Sequence, residues 1–199
     1  MARITGRRLL LRGGNRETRK NAAGSAVSGG LDPAAGGRTL CGMAPHPQTW
    51  LKVTPAGLCC EPGGFFVDPT RPVDRAVITH GHADHARPGH AHVLATAETL
   101  AIMRQRMGPG GFAEGQALRY GEPLEVNGVR LWLAPAGHVL GSAQVVLEWQ
   151  GSRAVVSGDY KRQPDPTCAP FEPVPCDVFV TEATFALPVF RHPPPEQEV

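Results

Sequence analysis

The sequence predicts an α/β domain built mostly from short strands, and three observations carry that prediction. From Trp50 onward, short apolar runs alternate with Gly, Pro and Asn turn signals. A single stretch, after Thr96, has the spacing of an amphipathic helix. Four metal-ligating side chains, His80, His82, Asp84 and His85, stand directly after one of the apolar runs.

Composition sets the bounds. A chain of 199 residues accommodates one sizeable domain or at most two small ones. Gly (24) and Pro (20) are abundant, which suits many turns. No apolar run approaches the roughly 20 residues of a membrane helix, so a soluble, cytoplasmic protein with no membrane partner is expected. Charge is uneven: the segment before Met43 carries eight Lys and Arg against Glu17 and Asp32. That leaves 12 basic and 16 acidic residues of the totals of 20 and 18, so the rest of the chain has a formal charge of about −4. Bulk charge therefore gives the main domain no affinity for nucleic acid, which would have to come from a local patch or from metal ions. Five cysteines, with Cys59 and Cys60 adjacent and no C-x-x-C pair, fit neither a disulfide framework nor a cysteine zinc site. Small buried thiols in a reducing compartment are the expectation.

Residues 1–47 are rich in Gly, Ala, Arg and Ser and read as a disordered basic extension, with Met43 a candidate working start. An organelle transit peptide is the alternative. The domain proper is placed at 48–199.

The elements follow in order. Trp50–Val53 and Phe65–Val67 read as strands, as do Ala76–Thr79 and His92–Ala95. Thr96 can cap a helix running to about Met107, with Leu100, Met103 and Met107 on one face and Gly108 as its stop. Leu124–Val126 and Val129–Leu133 flank Asn127-Gly128, a pair suited to a type I′ turn. Ala143–Trp149 and Arg153–Ser157 make a second hairpin across Gln150-Gly151, and Asp177–Thr181 is the last strand. Pro193-Pro194-Pro195 followed by acids resembles a helix opening, so the chain is expected to stop where an element begins.

Thr79-His80-Gly81-His82-Ala83-Asp84-His85 is the strongest chemical signal. Imidazole and carboxylate are good Zn²⁺ ligands, and a catalytic zinc keeps three protein ligands and an open position. If strand geometry persisted, His80 and His82 would point the same way, while Asp84 and His85 faced elsewhere and held a second ion. A solvated His-rich loop is the bland alternative, and four potential ligands within six residues after a strand outweigh it.

His-x-His-x-Asp-His after a strand resembles the signature of the metallo-β-lactamase superfamily. Asp68, in Phe65-Phe66-Val67-Asp68-Pro69, resembles its first motif, an acid that braces the metal loop from behind. His138, in Gly137-His138-Val139-Leu140-Gly141-Ser142, resembles the third, and Asp159, in Ser157-Gly158-Asp159-Tyr160, the fourth. The resemblance implies an αββα four-layer sandwich. It also implies that His80, His82 and His138 hold a first Zn²⁺, Asp84 and His85 a second, and Asp159 both. Two such ions generate a zinc-bound hydroxide and stabilise charge on an attacked phosphate.

Two features resemble the β-CASP nucleases within that superfamily: the Gly-His-x-x-Gly-Ser segment at Gly137–Ser142, and Glu182 at the end of a strand. Over Trp50–Arg191, about 70% of the chain, the sequence is similar to bacterial ligase-associated DNA exonucleases. Thr54-Pro55-Ala56-Gly57-Leu58, Asp74-Arg75-Ala76-Val77-Ile78-Thr79-His80 and Ser157-Gly158-Asp159-Tyr160-Lys161 carry the likeness. This implies 3′-end trimming of DNA beside an ATP-dependent DNA ligase, with Asp84, Asp159 and Glu182 in catalytic roles. Another hydrolase of the same fold, acting on RNA or a small ester, is the alternative, as is an inactive fragment. The sequence departs from the pattern at Ala183 and Ala186, where that family carries Ser and Gly. The family also continues beyond Val199 with two further histidines, for which His192 is no substitute. A truncated domain ending near a β-CASP insertion is thus expected, with an incomplete second zinc site and an exposed apolar surface.

Among the other candidates, His90 and His92 read as loop residues in solvent, Trp132 as core, and His46 as disordered. Arg87, Lys161 and Arg162 lie beside the metal motifs, where phosphate contact and plain solvation are equally open.

Overall fold

A computed structural model describes residues 43–183 and the backbone of Leu10–Gly13. The strands are β1 (Leu10–Gly13), β2 (Leu51–Thr54), β3 (Gly57–Cys60), β4 (Phe65–Val67), β5 (Arg75–Val77) and β6 (His90–Ala95). After helix α1 (Ala97–Met107) come β7 (Phe112–Ala117), β8 (Leu124–Val126), β9 (Val129–Pro135), β10 (Ala143–Trp149), β11 (Ser152–Val156) and β12 (Val178–Thr181). They form two six-stranded sheets, ordered β1-β12-β11-β10-β9-β8 and β2-β3-β4-β5-β6-β7. The second is antiparallel through β2, β3 and β4 and parallel from β4 to β7.

The main core lies between the sheets because inward positions recur every second residue. Val129, Leu131 and Leu133 of β9 and Val145 and Leu147 of β10 meet Phe65, Val67, Val77 and Leu94 from the other sheet. Trp50 closes one end of this layer, its indole N–H donating to Ser152 Oγ at 3.2 Å. On the outer face of the second sheet, Ile78, Val93 and Ala95 pack against Leu100 and Met103 of α1. The capping expected from sequence is present: Thr96 Oγ1 accepts the Thr99 amide, and Gly108 closes the helix at φ 69°. Residues Val174, Cys176 and Phe179 pack on the outer side of the first sheet.

The Asn127-Gly128 turn has φ of 51° and 80°, and the Gln150-Gly151 turn 48° and 84°, so both hairpins form with the left-handed backbone their sequences suit. Strands β3 and β7 were not anticipated; five of the six β7 residues are exposed, leaving no alternating pattern to read. The extension expected over 1–47 and the helix opening at Pro193–Pro195 lie outside the described residues, apart from β1, which pairs antiparallel with β12, and residues 43–47. His46 lies at the start of the described domain. It caps a 3-10 turn over Pro47–Thr49, accepting the Gln48 amide, because the buried Pro47 ring anchors the turn. His90 is also not in solvent: it begins β6 at 1% exposure, its Nδ1 accepts the Val73 amide, and burial lowers its pKa. His92 is exposed, as expected. Trp132 points away from the main core, where Arg130 and Arg153 stack on its half-buried ring. Among the described residues no disulfide forms: Cys60 is buried and its thiol is pushed up to about 11, while Cys59, Cys168 and Cys176 are half-buried. Large apolar side chains exposed among the described residues are Met43, Val53 and Leu140.

Candidate metal centre

Three loops from both sheets meet at one end of the sandwich. The first leaves β5: Ile78 still donates to Leu94 O, and the chain then breaks from the sheet at Thr79. The expected strand alternation of His80 and His82 does not occur, because β5 ends at Val77. A turn takes over, in which the amides of His85 and Ala86 both donate to His82 O at 3.2 and 2.8 Å. Convergence of the imidazoles comes from that turn.

Asp68 stands just after β4 at φ 44° and bonds to this loop. Its Oδ1 accepts the Thr79 amide at 2.8 Å, and its Oδ2 accepts the Thr79 hydroxyl at 2.6 Å and meets His85 Nδ1 at 2.7 Å. The second loop joins β9 to β10. Ser142 Oγ accepts the amides of His138 and Val139 at 3.0 and 3.1 Å, which aims His138 inward. The third follows β11, where Gly158, at φ 58°, lets the backbone pass beside Thr79; a Cβ there would lie 2.6 Å from Thr79 Oγ1. Asp159 comes next.

Sequence reading singled out the side chains that cluster here but not the groups that hold the loops. Ser142 ends the Gly-His-x-x-Gly-Ser segment, which by itself gives the hydroxyl no role. Helix α1 supports two of the loops: Thr96 and Thr99 hydroxyls donate to Gly141 O at 2.7 and 3.0 Å, and Arg106 Nη1 donates to Gly81 O. Nothing in the local sequence pointed to Arg106.

The side chains form one cluster with two sides. His80 Nε2 lies 3.0 Å from His82 Nδ1, which lies 3.3 Å from His138 Nε2. Asp159 Oδ2 stands 3.8 and 3.9 Å from His80 Nε2 and His138 Nε2. These four donor atoms all lie within 4.8 Å of one another. On the other side, Asp159 Oδ1 is 3.2 Å from His85 Nε2, itself 3.7 Å from Asp84 Oδ2. Asp84 is exposed and His85 buried. Tetrahedral donors with bonds of about 2.0–2.1 Å stand roughly 3.3 Å apart, so the His80–His82–His138 spacing fits one small divalent ion. Glu182, at the end of β12, reaches the site indirectly: its Oε1 accepts the Tyr160 amide, next to Asp159, at 3.2 Å. Lys161 is paired with Asp165 at 3.2 Å, while Arg87 and Arg162 are exposed.

Protonation follows from burial and neighbours. Burial drives His80 down to about 4, with the nearby His85 adding to the effect. His138 is lowered, chiefly by burial. Burial also opposes the charged form of His85, but hydrogen bonds to Asp159 and Asp68 outweigh it and hold that imidazole up to about 9. Asp159 is held down to about 2, first by its bond to His85. Of these three imidazoles, His80 and His138 favour the neutral form, while His85 keeps its proton beside Asp68 and Asp159.

A family model described as Metallo-beta-lactamase superfamily matches residues 67–193, more than half of the chain. A protein of Opitutus terrae described as a probable DNA ligase is 29% identical over 143 residues, which span 71% of this chain and 14% of that protein. A ribonuclease of Thermus thermophilus is 30% identical over 183 residues, 76% of this chain and 39% of its own length. An endoribonuclease of Kluyveromyces lactis is 38% identical over 151 residues, 57% of this chain and 20% of its length. The chain therefore spans well under half of each of these relatives.

Proposed function

Because the chain belongs to the metallo-beta-lactamase superfamily, we propose that it is a metal-dependent nuclease, hydrolysing DNA phosphodiesters from 3′ ends in partnership with an ATP-dependent DNA ligase. The observation that carries the hydrolase reading is the position of Asp159, with one oxygen toward His80 and His138 and the other toward His85. His80, His82 and His138 would hold one divalent ion with Asp159 beside them, and Asp84 and His85 would offer part of a second site. Zn²⁺ suits this nitrogen and oxygen set. The ions, when bound, supply a Lewis acid for the phosphoryl oxygen and make water acidic enough to act at neutral pH.

The chain's own groups do the rest. Asp84, with its side chain 56% exposed, would take the proton that the attacking water gives up. Asp68 keeps His85 in position from the protein side. Glu182 acts through the Tyr160 amide and sets the Asp159 loop, so its role is positioning. The ligase partnership is supported by the Opitutus terrae relative described as a probable DNA ligase. The descriptions of the two ribonuclease relatives favour RNA as a second reading of the substrate.

The test is metal-stripped protein, reloaded with Zn²⁺ or Mn²⁺, on 3′-recessed duplex, single-stranded DNA and RNA of matched sequence. Metal-restored shortening of DNA from its 3′ end is expected. Cleavage of RNA alone would transfer the assignment to the second reading, and hydrolysis of neither polymer in any metal would overturn the nuclease reading.

A further inference from the structure

We propose that Thr79 is a positioning residue whose hydroxyl relays the Asp68 carboxylate to His80, fixing the buried imidazole with its proton on Nδ1 and its lone pair on Nε2. The proton count requires it. Thr79 Oγ1 lies 2.6 Å from Asp68 Oδ2 and 3.1 Å from His80 Nδ1. A hydroxyl has one proton and a carboxylate only accepts, so the Thr79 proton goes to Asp68. Its oxygen is then an acceptor toward His80, and His80 must donate from Nδ1. The reverse arrangement would set two oxygen lone pairs against each other at 2.6 Å.

Thr79 has little freedom to do otherwise. Its amide donates to Asp68 Oδ1 and its carbonyl accepts from Ala143, so both sides of the residue are tied. Gly158 packs beside the hydroxyl, and Thr79 and His80 are 1% and 0% exposed, which excludes solvent as a replacement partner. The same carboxylate oxygen meets His85 Nδ1 at 2.7 Å. One acid thus sets two imidazoles, His85 directly and His80 through Thr79, each presenting Nε2 to the cluster. The consequence for ion binding rests on the metal-centre reading; the tautomer itself does not.

The test is the ring ¹⁵N and ¹H NMR pattern of His80 in metal-free protein, with metal affinity measured in parallel by chelator competition. Wild type is expected to show the Nδ1–H form. Thr79→Val, which keeps shape and removes the hydroxyl, is expected to shift His80 toward Nε2–H, facing His82 Nδ1, and to weaken metal binding about 10–100-fold. Thr79→Ser is expected to restore both. An Nε2–H form of His80 in wild type overturns the relay without any variant being needed, and so does an unchanged tautomer in folded Thr79→Val. Wild type with the Nδ1–H form and no metal affinity would sink the metal-centre reading and leave the relay standing.

Discussion

Two glycines with nearly the same backbone conformation allow crowding at the metal centre to be separated from backbone strain. Gly141, at φ 75°, lies three residues after His138, and a Cβ there would meet Glu98 Cβ and Thr96 Oγ1 at 2.7 Å and the Thr99 amide at 2.9 Å. Gly121, at φ 72°, has nothing within 4 Å of the same position. Replacing either by Ala forces a left-handed backbone on a residue with a Cβ, at about 1–2 kcal/mol. At Gly121 that is the whole effect. At Gly141 the first turn of α1 must also move, and overpacking of this kind costs a further ~1–3 kcal/mol. The hydroxyls of Thr96 and Thr99 that hold Gly141 O would be displaced with it. Urea unfolding of both metal-free variants should place Gly141→Ala about 1–3 kcal/mol below Gly121→Ala. Only the Gly141 variant should also lose metal affinity, because its loop carries His138. Equal destabilisation of the two variants, or intact metal binding by Gly141→Ala, would refute the argument that α1 and this loop are in rigid contact.

Ser142→Ala removes the acceptor of the His138 and Val139 amides. A loss of about 1–3 kcal/mol for each amide left without a partner is expected by thermal or urea unfolding, with weakened metal binding, and wild-type values on both would show that the hydroxyl does not aim His138. Metal binding should also release protons. His85 stands at about 9, so below that pH it carries a proton that the ion must displace. Calorimetry in buffers of different ionisation enthalpy should find about one proton released from His85 near pH 7, falling to none as pH rises past about 9. A release that does not decline over that range would show that His85 is not a ligand.

Local chemistry was legible in the sequence. The Asn127-Gly128 turn, the Thr96 cap and the Gly108 stop depend on the conformational preferences of one or a few neighbouring residues, and each forms where its residues stand. The ligand types around His80–His85, His138 and Asp159 were legible for a similar reason, since donor chemistry belongs to the side chain itself. What local pattern could not report was direction. His80 and His82 were expected to align through strand alternation, and a turn stabilised by the His82 carbonyl aligns them instead. His90 read as a loop residue until β6 carried it into the interior. Strand β7 lies on an exposed edge and leaves no periodic trace. By itself, then, the chain's order of residues determined which atoms could bind a metal and where it would turn. The tertiary structure decided which atoms meet: Asp68 follows β4 and Arg106 stands on α1, and their hydrogen bonds to the loop at Thr79–Gly81 exist only once the second sheet and α1 are packed together.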